Sequence, residues 1–64
     1  MSSVKSIRFN RESSQVDCFY GTTMLCSING LALNIKSDDE LIDFVKQQGS
    51  IDRAIGHIKT LSQH

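Results

Sequence analysis

The hydrophobic periodicity of this chain changes once, at Ser37. Before it, apolar and aromatic side chains alternate with polar ones, as in Val16-Asp17-Cys18-Phe19-Tyr20 and Met24-Leu25-Cys26-Ser27-Ile28, which is the period of a half-buried strand. After it, apolar residues recur at helical intervals. Strands followed by helices predict an α+β fold: a three-stranded antiparallel β-meander, with a four-stranded alternative, followed by two short amphipathic helices packed on one face (βββαα). The 64 residues read as a single small domain over 1–64 with residues 1–3 loose. A chain this short buries only roughly 60% of the surface its unfolded form exposes, so one core supplies no more than about 3–5 kcal/mol. A dimer interface would add to it.

The strongest local signal in the first half is Ile28-Asn29-Gly30-Leu31. Asn-Gly supplies the positive φ angles of a type I′ turn, so the segment predicts a hairpin in which Ile28 faces Leu31, Cys26 faces Leu33 and Met24 faces Ile35. Val16, Cys18 and Tyr20 share the parity of Met24, Cys26 and Ile28, which predicts one long strand over 16–28, bent at Gly21. The competing assignment breaks it at Tyr20-Gly21. Ile7 and Phe9, on a first strand over 4–10 returned by the polar loop Asn10–Gln15, complete the inner face. The expected core is therefore Ile7, Phe9, Val16, Cys18, Tyr20, Met24, Cys26, Ile28, Leu31, Leu33 and Ile35.

Ser37 and Glu40 have the spacing of a capping box, and Asp38, Asp39 and Glu40 put negative charge where a helix N-terminus favours it. Leu41, Phe44 and Val45 form the apolar stripe, Ile42 widens it, and Gly49 is a C′ stop. Ser50 caps a second helix with Ile51, Ala54, Ile55, Ile58 and Leu61 inward. Two helices joined this tightly form an αα corner or hairpin over the sheet.

Several function classes are disfavoured. Seven basic against seven acidic residues argue against a polyanion mimic and against attachment to nucleic acid by charge alone. Apolar runs of two or three residues fall far short of a membrane span or a secretory signal, so the expected compartment is the cytoplasm. Cys18 and Cys26 are too few for a disulfide scaffold and are expected to be reduced and buried. With His57 and His64 they lack metal-ligand spacing, so no metal or other cofactor is expected. The cluster Asp38, Asp39, Glu40 and Asp43 reads as a capped helix start, since it lacks the ligand order of a calcium loop. No catalytic residue is assigned. Neither histidine lies beside a nucleophile in sequence, and no phosphate loop, GxSxG or HExxH pattern is present.

Phe44 to Ile58, with Gly49-Ser50-Ile51 and Ala54, resembles the first half of some helix-turn-helix proteins. That resemblance implies nucleic-acid binding, with Arg53, His57 and Lys59 on the outer side of the 51–61 helix as its contacts. Lys59 stands where the pattern expects a turn glycine, and the residues to His64 leave no length for a further recognition helix.

The sheet's second face is more informative. Its expected parity carries Arg8, Asp17, Phe19, Thr23, Leu25 and Ser27, with Ala32 and Asn34 from the hairpin. Two helices cover one face of so small a sheet, so Phe19 and Leu25 are expected to point away from them, and exposed apolar patches mark interaction surfaces. The leading expectation is a small non-enzymatic regulator, adaptor or inhibitor that binds another protein or itself through Arg8, Phe19, Thr23 and Leu25. The alternative is a nucleic-acid-binding protein that uses the 51–61 helix or this sheet face, where a base would stack on Phe19 with Arg8 and Lys36 nearby.

Overall fold

The structure, a computed structural model, describes residues 4–62, so the expected looseness of residues 1–3, and His64, lie outside the described residues. Three strands, β1 (Lys5–Asn10), β2 (Gln15–Tyr20) and β3 (Thr23–Asn29), form one antiparallel sheet in the order β1-β2-β3. A 3-10 turn over Gly30–Leu33 leads to α1 (Asp38–Gln48) and α2 (Ile51–Ser62). The βββαα order is as expected. The third strand is not.

Residues 16–28 form two strands rather than one bent strand. Gly21, at φ +64°, and Thr22 make a two-residue reversal between Tyr20 and Thr23. A positive φ at the first turn position is the glycine-led hairpin geometry that suits the twist of paired strands. This turn gives β2 to β3 as its partner, and the predicted Asn29-Gly30 hairpin does not form. Asn29 instead has φ −64° and ψ 130°, and its side chain accepts a hydrogen bond from the Leu31 amide at 2.9 Å, capping the 3-10 turn. Gly30 serves close approach rather than positive φ. Its amide donates to the Ser14 carbonyl at 2.7 Å, and a Cβ here would strike the Ile35 carbonyl oxygen and lie 3.0 Å from that of Ser14. Asn34, left-handed at φ 58°, ends the turn and sends Ile35 inward.

Residues 30–35 therefore contribute to the core without a strand. Val16, Cys18, Ile35, Leu41, Ile55 and Ile58 are buried together, with Ile7, Phe9, Cys26, Ile28, Leu33, Phe44 and Ile51 packed around them. Three of the expected core residues lie outside. Tyr20 and Met24 are exposed, and Leu31 is 67% exposed because the 3-10 turn points it away from the sheet.

The helical half follows its capping signals. Ser37 Oγ accepts from the Glu40 amide at 3.3 Å, while the Glu40 carboxylate accepts from the Lys36 amide, one residue earlier than in a simple capping box. Gly49, at φ +94°, donates to the Val45 and Lys46 carbonyls, and Ser50 Oγ accepts from the Arg53 amide at 3.2 Å. Ile42, expected to widen the buried stripe of α1, is exposed, since Leu41 and Phe44 already span the width that meets the core.

Candidate functional site

The two faces of the sheet follow from its register. Directly opposed residues in an antiparallel pair put their side chains on the same side. The rows Ile7-Cys18-Cys26 and Phe9-Val16-Ile28 face the helices, and the rows Arg8-Asp17-Ser27 and Ser6-Phe19-Met24 face away. Between Phe19↔Met24 and Cys18↔Cys26 the register shifts by one, leaving Leu25 without a partner. This is a β-bulge, and it reverses the parity of β3 on either side of itself.

The bulge redistributes the four expected partner-binding residues. Arg8 and Phe19 lie on the outer face and touch, with the Arg8 guanidinium 6.0 Å from the centre of the Phe19 ring, a cation–π separation. Thr23 is opposed to Tyr20 and falls in the row of Lys5, on the helix side. Leu25 lines a depression with Lys5, Asp52, Ile55, Gly56 and Lys59, also on the helix side. The expectation that Leu25 points away from the helices is thus incorrect, and Met24 takes its place beside Phe19. Ala32 and Asn34 belong to the 3-10 turn and its end and not to a strand.

The outer face consequently has a graded character. Near the Gly21 turn, Ser6, Arg8, Phe19, Gly21 and Thr22 line a shallow depression of about 250 Å³, with Met24, 52% exposed, opposite Phe19. One row along, Asp17 is only 8% exposed, and its carboxylate accepts a hydrogen bond from Ser27 Oγ at 2.6 Å. Gln15 Oε1 lies 3.4 Å from the same hydroxyl. Apolar contact at one end and a satisfied polar row at the other make a surface with direction.

On the helix side, Cys18 and Cys26 oppose each other as free thiols, Cys18 buried and Cys26 half-buried. Burial, reinforced by the Cys26 thiol beside it, pushes the Cys18 thiol up to about 12, so it stays protonated at neutral pH and lacks the thiolate that makes a cysteine nucleophilic. Lys5 Nζ meets Asp52 Oδ1 at 2.7 Å, tying β1 to the start of α2, and this hydrogen bond and charge raise the Lys5 pKa. Arg11 reaches Asp38 at the start of α1. No group of three His, Cys, Asp or Glu side chains converges to hold a metal ion among the described residues. No helix among them is long and apolar enough to cross a membrane.

Arg53, His57 and Lys59 are all exposed on α2. At about 100° per residue, Lys59 lies well over a quarter-turn from both Arg53 and His57. His57 meets the edge of the Phe44 ring, centroids 5.8 Å apart, whereas Lys59 sits at the Leu25 depression. The three do not form one basic stripe. No protein-family model, curated protein or solved structure matches the chain.

Proposed function

We propose that this is a small binding protein, acting as a regulator, adaptor or inhibitor, that docks a different protein on the outer face of its sheet near the Gly21 turn. The observation that carries this reading is the Phe19 site: a half-buried aromatic ring with Arg8 over it and an exposed Met24 beside it, on the face that the helices leave open. Arg, Met and aromatic side chains are the types enriched at protein interfaces, and methionine adapts its shape to a partner. A partner with an apolar side chain for the Phe19 depression and an acidic group for Arg8 fits this surface. Asp17 and Ser27, bonded to each other, leave the next row polar and fix which way the partner lies.

The test is capture from the source cell by three tagged chains. The wild type and an Ile42→Ser chain, altered at an exposed apolar residue on α1, are expected to retain the same protein, and a Phe19→Ser/Met24→Ser chain is expected to lose it while keeping its helical circular dichroism. Equal capture by the double variant overturns the proposal.

A further inference from the structure

A second surface is defined by Gly56, in the middle of α2. Glycine in a helix interior is less stable than alanine because its backbone has more freedom to lose. The usual compensations are missing here: its φ is not positive, and a Cβ built on it would meet nothing within 4 Å among the described residues. No close approach among the described residues asks for glycine. Beside it, Leu25, lifted out of the strand pairing by the bulge, is 39% exposed and shares a depression of about 260 Å³ with Lys5, Asp52, Ile55, Gly56 and Lys59. A flat spot on a helix flanked by an exposed leucine and charges of both signs is suited to a second helix at short distance.

The charges identify that helix. By helical geometry Asp52 and Lys59 lie about 40° and 60° to one side of Gly56, about 6 Å below it and 4.5 Å above it along the axis. If two copies of α2 lie antiparallel about a two-fold axis at Gly56, each flank meets the same flank of the other copy with its ends reversed. Asp52 then comes level, to about 1.5 Å, with Lys59 of the partner subunit, and the pairing occurs twice. On the other flank Arg53 comes level with the Thr60 hydroxyl. A parallel arrangement would instead set Asp52 opposite Arg53 of the partner subunit and Lys59 opposite Thr60 of the partner subunit, so that Lys59 carries an ion pair only in the antiparallel one. Asp52 already holds Lys5 at 2.7 Å, and one carboxylate accepts from two cations.

We propose that the protein forms a symmetric homodimer through the exposed side of α2, with the two helices antiparallel and crossing at Gly56, Leu25 covered at the rim, and Asp52 of each copy facing Lys59 of the other. This contact leaves the Phe19 face open, so the dimer presents two copies of that surface, and the proposal stands whether or not that face binds a partner.

Sedimentation equilibrium from micromolar to millimolar concentration tests it. At low salt the mass is expected to rise from 7.1 kDa toward twice that value. Gly56→Leu, which keeps a helix-forming residue but inserts a side chain at the crossing, is expected to weaken association at least tenfold. Lys59→Glu sets two acidic pairs against each other and is expected to weaken it about tenfold, and Lys5→Glu/Asp52→Lys/Lys59→Glu, which exchanges the signs across the contact while keeping opposite charges at positions 5 and 52, restores most of the loss. A chain that stays at 7.1 kDa at millimolar concentration overturns the proposal. So does an exchange variant no tighter than Lys59→Glu, which settles the matter even if Gly56→Leu disturbs the helix. A dimer that survives Gly56→Leu and dissociates on Phe19→Ser/Met24→Ser moves self-association to the sheet face and equally overturns it.

Discussion

The sheet's two faces are built from the same three strands and do different work. On the inner face Val16 and Cys18 are fully buried, as is Ile58 of α2 packed with them, and the rows Ile7-Cys18-Cys26 and Phe9-Val16-Ile28 are apolar, so these side chains are committed to holding the fold. On the outer face Arg8, Phe19 and Met24 stand beside a satisfied Asp17-Ser27 pair, and no helix closes over them. A domain this small has stability to spare on neither side, yet it leaves an aromatic ring and a methionine outside its core. The faces should therefore separate under mutation, with inner-face changes removing the fold and outer-face changes removing binding.

The largest effect is expected at Ile58. Truncating a fully buried isoleucine costs about 2–5 kcal/mol, comparable with everything a core of this size supplies. Ile58→Ala is expected to be largely unfolded at room temperature by circular dichroism, whereas Phe19→Ser/Met24→Ser keeps a cooperative thermal transition. A folded Ile58→Ala chain would mean that the inner face holds a surplus, and the contrast between the faces would collapse.

A smaller effect comes from the buried thiol. Because the folded state holds the Cys18 proton up to about pH 12 while an ordinary thiol releases it near 9, the unfolded state binds fewer protons in between, and stability falls as pH rises through that window. The slope is at most about 1.4 kcal/mol per pH unit, or about 2 kcal/mol by pH 10.5, above which the loss of the Lys5 charge, and with it the Asp52 ion pair, adds to the fall. Below pH 9 the contribution is complete. Urea midpoints at pH 8, 9 and 10 are expected to decline for the wild type and to be nearly level for Cys18→Ala, and parallel declines would show that the thiol is not sealed by the inner face.

How far the sequence foretold these faces depended on where local signals agreed. In the helical half, cap, stripe and stop all pointed the same way, and Ser37, Gly49 and Ser50 fall at the helix ends that their chemistry predicts. In the strands two turn signals competed. Asn29-Gly30 is the stronger hairpin pair in isolation, but Gly21-Thr22 comes first and joins two runs of matched apolar alternation, and Gly30 was needed for its missing Cβ against the Ser14 and Ile35 carbonyls. That need is tertiary and leaves no mark in a local pattern. The bulge was legible in principle: a two-residue turn after Tyr20 pairs Cys18 with Leu25 and turns Leu25, Ser27 and Asn29 inward, so burying Cys26 and Ile28 instead requires one extra residue. Arg8 and Phe19 were found because they precede that point. Met24 was missed and Leu25 misplaced because they sit on either side of the parity change.

Asp17 is where the comparison is sharpest, because it lies on the open face and is nonetheless 8% exposed. The middle strand is screened by its neighbours, and Ser27 Oγ, at 2.6 Å, satisfies the carboxylate there. Asp17→Ala leaves that hydroxyl with Gln15 Oε1 at 3.4 Å as its nearby acceptor, so the expected loss is about 0.5–1.5 kcal/mol, the net worth of one hydrogen bond with a fallback. Asp17→Asn keeps an acceptor oxygen and is expected to lose about half as much or less. Denaturation midpoints of the two variants check this. A loss as large as that of Ile58→Ala would make the outer face a second core rather than a docking surface. A loss within error for both variants would mean that Asp17 is oriented by the partner, and the effect of Asp17→Ala should then appear in capture rather than in stability.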